Sequence, residues 1–243
     1  MNKKEDLIQL INTEGETFKQ LNYSNNIVPN SIPIIWFGNY LAYEASNVKI
    51  ITVSLNPSDN EFKMKGQTEY SPNFRFPSFD GSDNSLFTSY NEYFEKNPYN
   101  SWFKSSFKAV LESFNASHYN GALNTALHTD IASPYATNPT WSGLDSKIKE
   151  HLELMGSKSW HALIKILEPD VILFSASFSY EKKIEFNQIG NWEEVDVKAD
   201  RPLLSGKFQI TSDKETSILF QVQGRKPFLK TNRDEKLKFN KYI

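Results

Sequence analysis

The chain has 243 residues, of which 39% are hydrophobic and 14% aromatic. That is enough apolar material for one large folded domain and too much for a disordered chain. Cysteine is absent, which excludes disulfides, thiolate zinc sites and cysteine nucleophiles together. The 27 basic and 29 acidic residues leave a net charge of −2, so no global electrostatic attraction to nucleic acid is expected.

No run of eighteen apolar residues and no apolar block after Met-Asn-Lys-Lys-Glu-Asp occurs. The expectation is a cytoplasmic chain with no membrane helix and no signal peptide. Leu7, Ile8, Ile11, Phe18 and Leu21 recur at helical spacing and predict an amphipathic helix over 4–21. A polar stretch ends at the turn around Pro33. The β-branched run from Val48 to Leu55, stopped by Asn56-Pro57, predicts a buried strand of the parallel-sheet kind.

Residues 59–100 lack periodicity, as a lid or binding loop would. They carry ten aromatics, Phe62, Tyr70, Phe74, Phe76, Phe79, Phe87, Tyr90, Tyr93, Phe94 and Tyr99, so part of the segment must pack. Phe103, Phe107, Val110, Leu111 and Phe114 predict a helix over 101–115. A shorter strand is predicted over 121–127, ending in His128-Thr129-Asp130. The spacing from Trp141 to Met155 predicts a helix closed by Gly156 as C-cap, and Trp160 to Leu167 a second helix stopped by Pro169. Val171 to Phe174 and Ser217 to Val222 complete the strands.

Strands alternating with helices predict one α/β domain: three layers, α/β/α, around a mainly parallel sheet of about four strands, with a long aromatic-rich insertion at about 59–100. Ligands of such sheets bind beyond the carboxyl ends of the strands. The polar clusters there are 54–59, 124–130, 175–177 and 223–228. The dinucleotide-binding, P-loop, nucleophile-elbow and H-E-x-x-H motifs are all missing. Of the four histidines, His151 and His161 fall inside predicted helices, His118 stands apart, and His128 beside Asp130 is the functional candidate.

Val53-Ser54-Leu55-Asn56-Pro57-Ser58 resembles the first motif of the uracil-DNA glycosylase superfamily, a buried strand ending in G-x-N-P-G or a close variant. Asn73-Phe74-Arg75-Phe76, Leu123-Asn124-Thr125-Ala126-Leu127, the helix–Pro–strand unit 160–177 and a basic segment after the last strand follow in the family's order. The likeness covers roughly residues 45–240 and sits nearest the mismatch-specific or single-strand-selective branch. Two positions depart from the family: Ser54 replaces a glycine, and Gln223-Gly224-Arg225-Lys226-Pro227-Phe228 stands where a second motif, H-P-S or N-P-S, is expected.

The resemblance implies hydrolysis of an N-glycosidic bond in DNA without metal or organic cofactor. Positive charge then develops on the sugar and negative charge on the departing base. Asn56 would orient the attacking water, and Phe74 or Phe76 would stack on the extruded base. Asn124 would read the base edge, with Leu55, Pro57 and His128 lining its site, and Arg225 or Lys226 would replace the second-motif residue. Ser58, Lys230 and Arg233 would hold DNA phosphates, the last two within a tail (225–241) of seven basic and two acidic residues. The partner would be DNA carrying a damaged or modified base, the membrane would play no part, and the protein would act as a monomer.

Plainer readings stand beside these. Asn-Pro-Ser is a common Asx-type turn, Phe74 and Phe76 suit a core, Asn124 suits a loop anchor, Asp130 suits a cap, and the basic tail suits a solvated surface. A catalytically silent base- or DNA-binding module of the same fold is the alternative function. The third is an α/β enzyme of free nucleosides or nucleotides.

Overall fold

The computed structural model of the protein describes residues 2–21, 25–64, 69–195, 202–222 and 228. The elements run α1 (Lys3–Leu21), α2 (Tyr40–Glu44), β1 (Ile50–Ser54), α3 (Asp83–Glu92), α4 (Asn100–Phe103) and α5 (Lys108–Ser113). They continue with β2 (Ala116–Ser117), β3 (Asn124–Asp130), α6 (Ser146–Leu167), β4 (Val171–Ala176), β5 (Asn187–Glu194), β6 (Leu203–Thr211) and β7 (Lys214–Val222). Among the described residues the fold is mixed α/β with a seven-stranded sheet in the order β2-β3-β1-β4-β7-β6-β5. β2/β3, β1/β4 and β4/β7 pair in parallel, whereas β7/β6 and β6/β5 are antiparallel.

The sequence predicts about four strands, and those four are β1, β3, β4 and β7. β4 is buried along its whole length, which is why its apolar run is so plain. β2 has only two residues, and β5 is mostly exposed polar sequence, so neither carries an apolar signal. β6 alternates in burial, but Ser205, Gly206 and Lys207 interrupt its apolar positions. β3 begins at Asn124 rather than ending near it: residues 121–123 are exposed, and Gly121 turns the chain with φ of 100°.

The residues group into two compact units. One comprises Met1–Asn39, Leu55–Tyr99 and Thr129–Leu167, the other Tyr40–Ser54, Asn100–His128 and Glu168–Ile243. In the second unit Ile50, Val171, Leu173 and Leu219 from the sheet pack with Phe107, Val110, Leu111, Phe114 and Phe228. The helix predicted over 101–115 is two short helices there. Phe107, at φ 60°, breaks it, yet every apolar side chain that set the pattern is buried.

The first unit packs α1 against α3 and α6. Residues 59–100 are not a structureless loop: they hold α3 and two short 3-10 turns, Asp59–Glu61 and Pro72–Phe74. Phe62, Phe76, Tyr90 and Tyr93 from this segment are fully buried together with Trp36 and Phe37. Their rings meet mostly edge-on or tilted, with Phe37–Tyr93 at 4.7 Å and Trp36–Tyr90 at 5.0 Å, as aromatic quadrupoles favour.

Gly156 does not cap a helix. It lies inside the continuous α6, facing the chain that follows β3. A Cβ there would fall 2.4 Å from the Ala132 carbonyl oxygen and 2.6 Å from Ser133 Cα. Alanine gains about 1 kcal/mol of helix propensity over glycine, but the clash falls on backbone that cannot rotate away. Gly156→Ala is therefore expected to lower stability by about 1–3 kcal/mol, read by denaturant unfolding; an unchanged or raised stability would show that α6 can move.

Candidate functional site

β1 feeds a turn held by hydrogen bonds within the first unit. The Leu55 carbonyl accepts from the Ala132 and Ser133 amides at 2.9 and 3.1 Å. The Asn56 side-chain amide donates to the Pro57 carbonyl at 3.0 Å, the Thr137 hydroxyl at 3.1 Å and the Tyr135 carbonyl at 3.4 Å. Two of these partners are carbonyls and can only accept, so the amide has one orientation. Among the described residues nothing donates to its Oδ1. Pro57 is buried, whereas Leu55 and Asn56 are partly exposed. Ser58 caps the Asp59–Glu61 turn: its oxygen accepts from the Asn60 amide at 3.1 Å and from the Asn60 side chain at 3.0 Å.

Glu61 and Arg75 lie buried just beyond, 3% and 8% exposed. The Arg75 guanidinium donates to the Asn60 carbonyl at 3.0 Å and the Asn97 carbonyl at 2.9 Å, and its Nε lies 3.4 Å from Glu61 Oε2. Tyr93 donates to that same Oε2 at 2.6 Å. Burial pushes the Glu61 carboxyl up to about 7, even though Tyr93 and Arg75 both pull it down. Burial thus outweighs an ion pair at this separation. Asp130, at the end of β3, is likewise pushed well above the carboxylate range by burial and by the Glu61 charge.

The two candidate stacking rings divide. Phe76 is fully buried, held by Phe62 at 6.0 Å and Tyr93 at 5.3 Å. Phe74 is partly exposed, and the Arg75 guanidinium lies 4.8 Å from its ring centre. Only Phe74 has surface to offer a ligand.

In the second unit Asn124 and His128 are core residues. The Asn124 amide donates to the Phe114 carbonyl at 3.0 Å, and its Oδ1 accepts from the Val48 amide at 3.2 Å. Asn124 therefore ties together the chain entering β1 and the end of α5, whereas Asn56 is the second residue past β1's exit. His128 Nδ1 and His118 Nε2 both lie 2.8 Å from the Thr52 hydroxyl. Burial holds both imidazoles in the neutral form, His118 down to about 3 and His128 well below its ordinary value. A cleft of about 830 Å³ in this unit, lined by Phe103, Lys104, Lys108, His118, Tyr119 and Leu123 among others, contains none of the other candidates.

The structure thus places Leu55, Asn56, Pro57, Ser58 and Phe74 in the first unit, and Asn124 and His128 in the second. Arg225, Lys226, Lys230 and Arg233 lie outside the described residues. Glu61, Arg75, Tyr93, Tyr135 and Thr137 are the participants that sequence reasoning missed. A single arginine within ten aromatics was the available signal, since charge in such company must be paired. Among the described residues no cluster of acidic or histidine side chains suits a metal ion, and no helix is long and apolar enough to cross a membrane. No protein-family model, curated protein or solved structure matches the chain.

Proposed function

We propose that this protein is a DNA glycosylase-like enzyme that hydrolyses the N-glycosidic bond of a flipped uracil, mismatched or modified base. The observation that carries this reading is Asn56. Its amide is locked by carbonyls on one side, so its Oδ1 is presented as a fixed acceptor just past the carboxyl end of a buried strand. An acceptor so held can orient a water for attack on a sugar carbon without reorganising during the reaction. A neutral amide activates water weakly, so turnover is slow.

Phe74 stacks on the extruded base in this reading, and Asp130 replaces Asn124 as the polar group near its edge. A protonated carboxyl offers one donor and one acceptor, as an amide does. In this reading the run β3-β1-β4-β7 corresponds to the four-strand sheet of a uracil-DNA glycosylase. Arg225 or Lys226 balances charge on the departing base, and Ser58, Lys230 and Arg233 hold phosphates.

The test is incubation with labelled single- and double-stranded oligonucleotides carrying uracil, thymine mispairs, hypoxanthine or modified cytosines, abasic sites being revealed by alkaline cleavage. Cleavage at one base is expected, slowed in an Arg225→Ala, Lys226→Ala double variant; an unchanged rate there would remove both residues from the mechanism. The absence of His or Asn from 223–228 favours a second reading, a silent base- or DNA-binding module. Salt-sensitive binding without cleavage across the panel would select it.

A further inference from the structure

We infer that Arg75 is a positioning residue for Phe74, holding that ring in place for the extruded base; the inference rests on the glycosylase-like reading above. An arginine cannot shed its charge, and at 8% exposure it needs acceptors for a rigid fork of five donors. The fold supplies the Asn60 and Asn97 carbonyls at 3.0 and 2.9 Å, with Glu61 Oε2 at 3.4 Å. The guanidinium carbon lies over two rings, 4.8 Å from the Phe74 centre and 5.1 Å from the Tyr99 centre.

These contacts converge on Phe74 from several directions. Asn97 accepts from Arg75 through its backbone and donates from its side chain to the Phe74 carbonyl at 2.8 Å. Tyr93 donates to Glu61 and accepts from the Tyr99 amide at 2.9 Å. Residues 60–61, 74–75, 93, 97 and 99 are thereby fixed to one another around a single cation. Burying an ion pair gains little over packing apolar groups of similar volume, so stability alone accounts poorly for the arrangement. What the cation does that an apolar residue cannot is hold one face of a partly exposed ring by a cation–π contact while leaving the remaining ring surface clear.

The test is a double-mutant cycle with Phe74→Ala and Arg75→Lys, read as single-turnover cleavage of the preferred oligonucleotide at saturating protein. Lysine keeps the charge beside Glu61 but loses the planar stack and the fork. Phe74→Ala is expected to slow cleavage about 10- to 100-fold, the effect of removing one stacking ring, and Arg75→Lys about 5- to 10-fold. The double variant is expected to be no slower than Phe74→Ala alone, with affinity for the abasic product unchanged in all three. Thermal unfolding of each variant separates loss of fold from loss of position.

Additive losses would overturn the inference and leave the glycosylase reading intact, because Arg75 would then act independently of Phe74. An active wild type indifferent to Phe74→Ala would also overturn it. If the protein binds oligonucleotides but cleaves none, the glycosylase reading falls. The same cycle measured as dissociation constants for a single-stranded oligonucleotide then decides the inference, additivity again counting against it. A wild type that neither cleaves nor binds overturns both.

Discussion

Asn56→Ala is expected to reduce single-turnover cleavage by about 100-fold, the scale of losing the alignment of an attacking group, while oligonucleotide affinity changes only a few-fold. The side chain has two separable duties. Its amide ties the turn to Pro57, Tyr135 and Thr137, and its Oδ1 accepts from no described residue. Alanine removes both, so the structural loss must be measured beside the kinetic one. Leaving buried carbonyls unpartnered costs about 1–3 kcal/mol.

Asn56→Asp separates the duties. An ionised aspartate would be the stronger activator of water, but it presents oxygen to the Pro57 and Tyr135 carbonyls, which need donors. It is expected to destabilise the turn at least as much as alanine and to fail to rescue the rate. An Asn56→Ala variant that folds, binds and cleaves like the wild type would end the water-orienting role. One that loses affinity without any cleavage to lose would favour the silent module.

Asn56 was legible in the sequence because a buried β-branched run ending in Asn-Pro has one plausible structure, a strand followed by a turn. Asn124 was not, because reading strand ends from composition carries an error of a few residues. A shift from 121–127 to 124–130 moved that side chain from the middle of its strand to the first residue. Phe74 and Phe76 look alike in sequence, and only the packing of Phe37, Phe62 and Tyr93 around Phe76 separates them. Gly156 looked like a cap because its partner in close approach, the chain at Ala132 and Ser133, is over twenty residues away in sequence. Edge strands such as β5 face water on most positions and lack the apolar signal that made β4 plain.

Thr52→Val is expected to lower stability by about 3 kcal/mol, two buried nitrogens losing their shared oxygen, and Tm by roughly 6–12 °C for a chain of this size. The Thr52 hydroxyl has one hydrogen and two lone pairs, and it meets His118 Nε2 and His128 Nδ1, both at 2.8 Å, with the Leu127 carbonyl at 3.3 Å. Phe103 and Phe107 pack on the His128 ring at 5.1 and 5.8 Å, leaving little room for water to replace the lost oxygen. Valine matches threonine in shape, so the loss is one of hydrogen bonding and not of volume.

The same pair sets an acid limit on the fold. In the unfolded chain each histidine takes a proton as pH falls through about 6.5, while in the folded protein burial holds His118 down to about 3 and His128 well below its ordinary value. The unfolded state then binds more protons, so stability is full above about 6.5 and falls by about 1.4 kcal/mol per pH unit for each histidine below it.

Glu61, pushed up to about 7, works the other way. Between about 4.5 and 7 it is protonated in the folded state and ionised in the unfolded one, so its contribution grows as pH falls; Asp130 has the same sign. The two histidines and the two carboxyls therefore act with opposite signs on stability below about pH 6.5. Glu61→Gln removes one of the carboxyls and is expected to make stability fall toward acid more steeply than the wild type's between about pH 4.5 and 7, by about 1.4 kcal/mol per pH unit, measured by denaturant unfolding of both proteins across the window. A Glu61→Gln profile parallel to the wild type's would mean that Glu61 is not held protonated in the folded protein across that window.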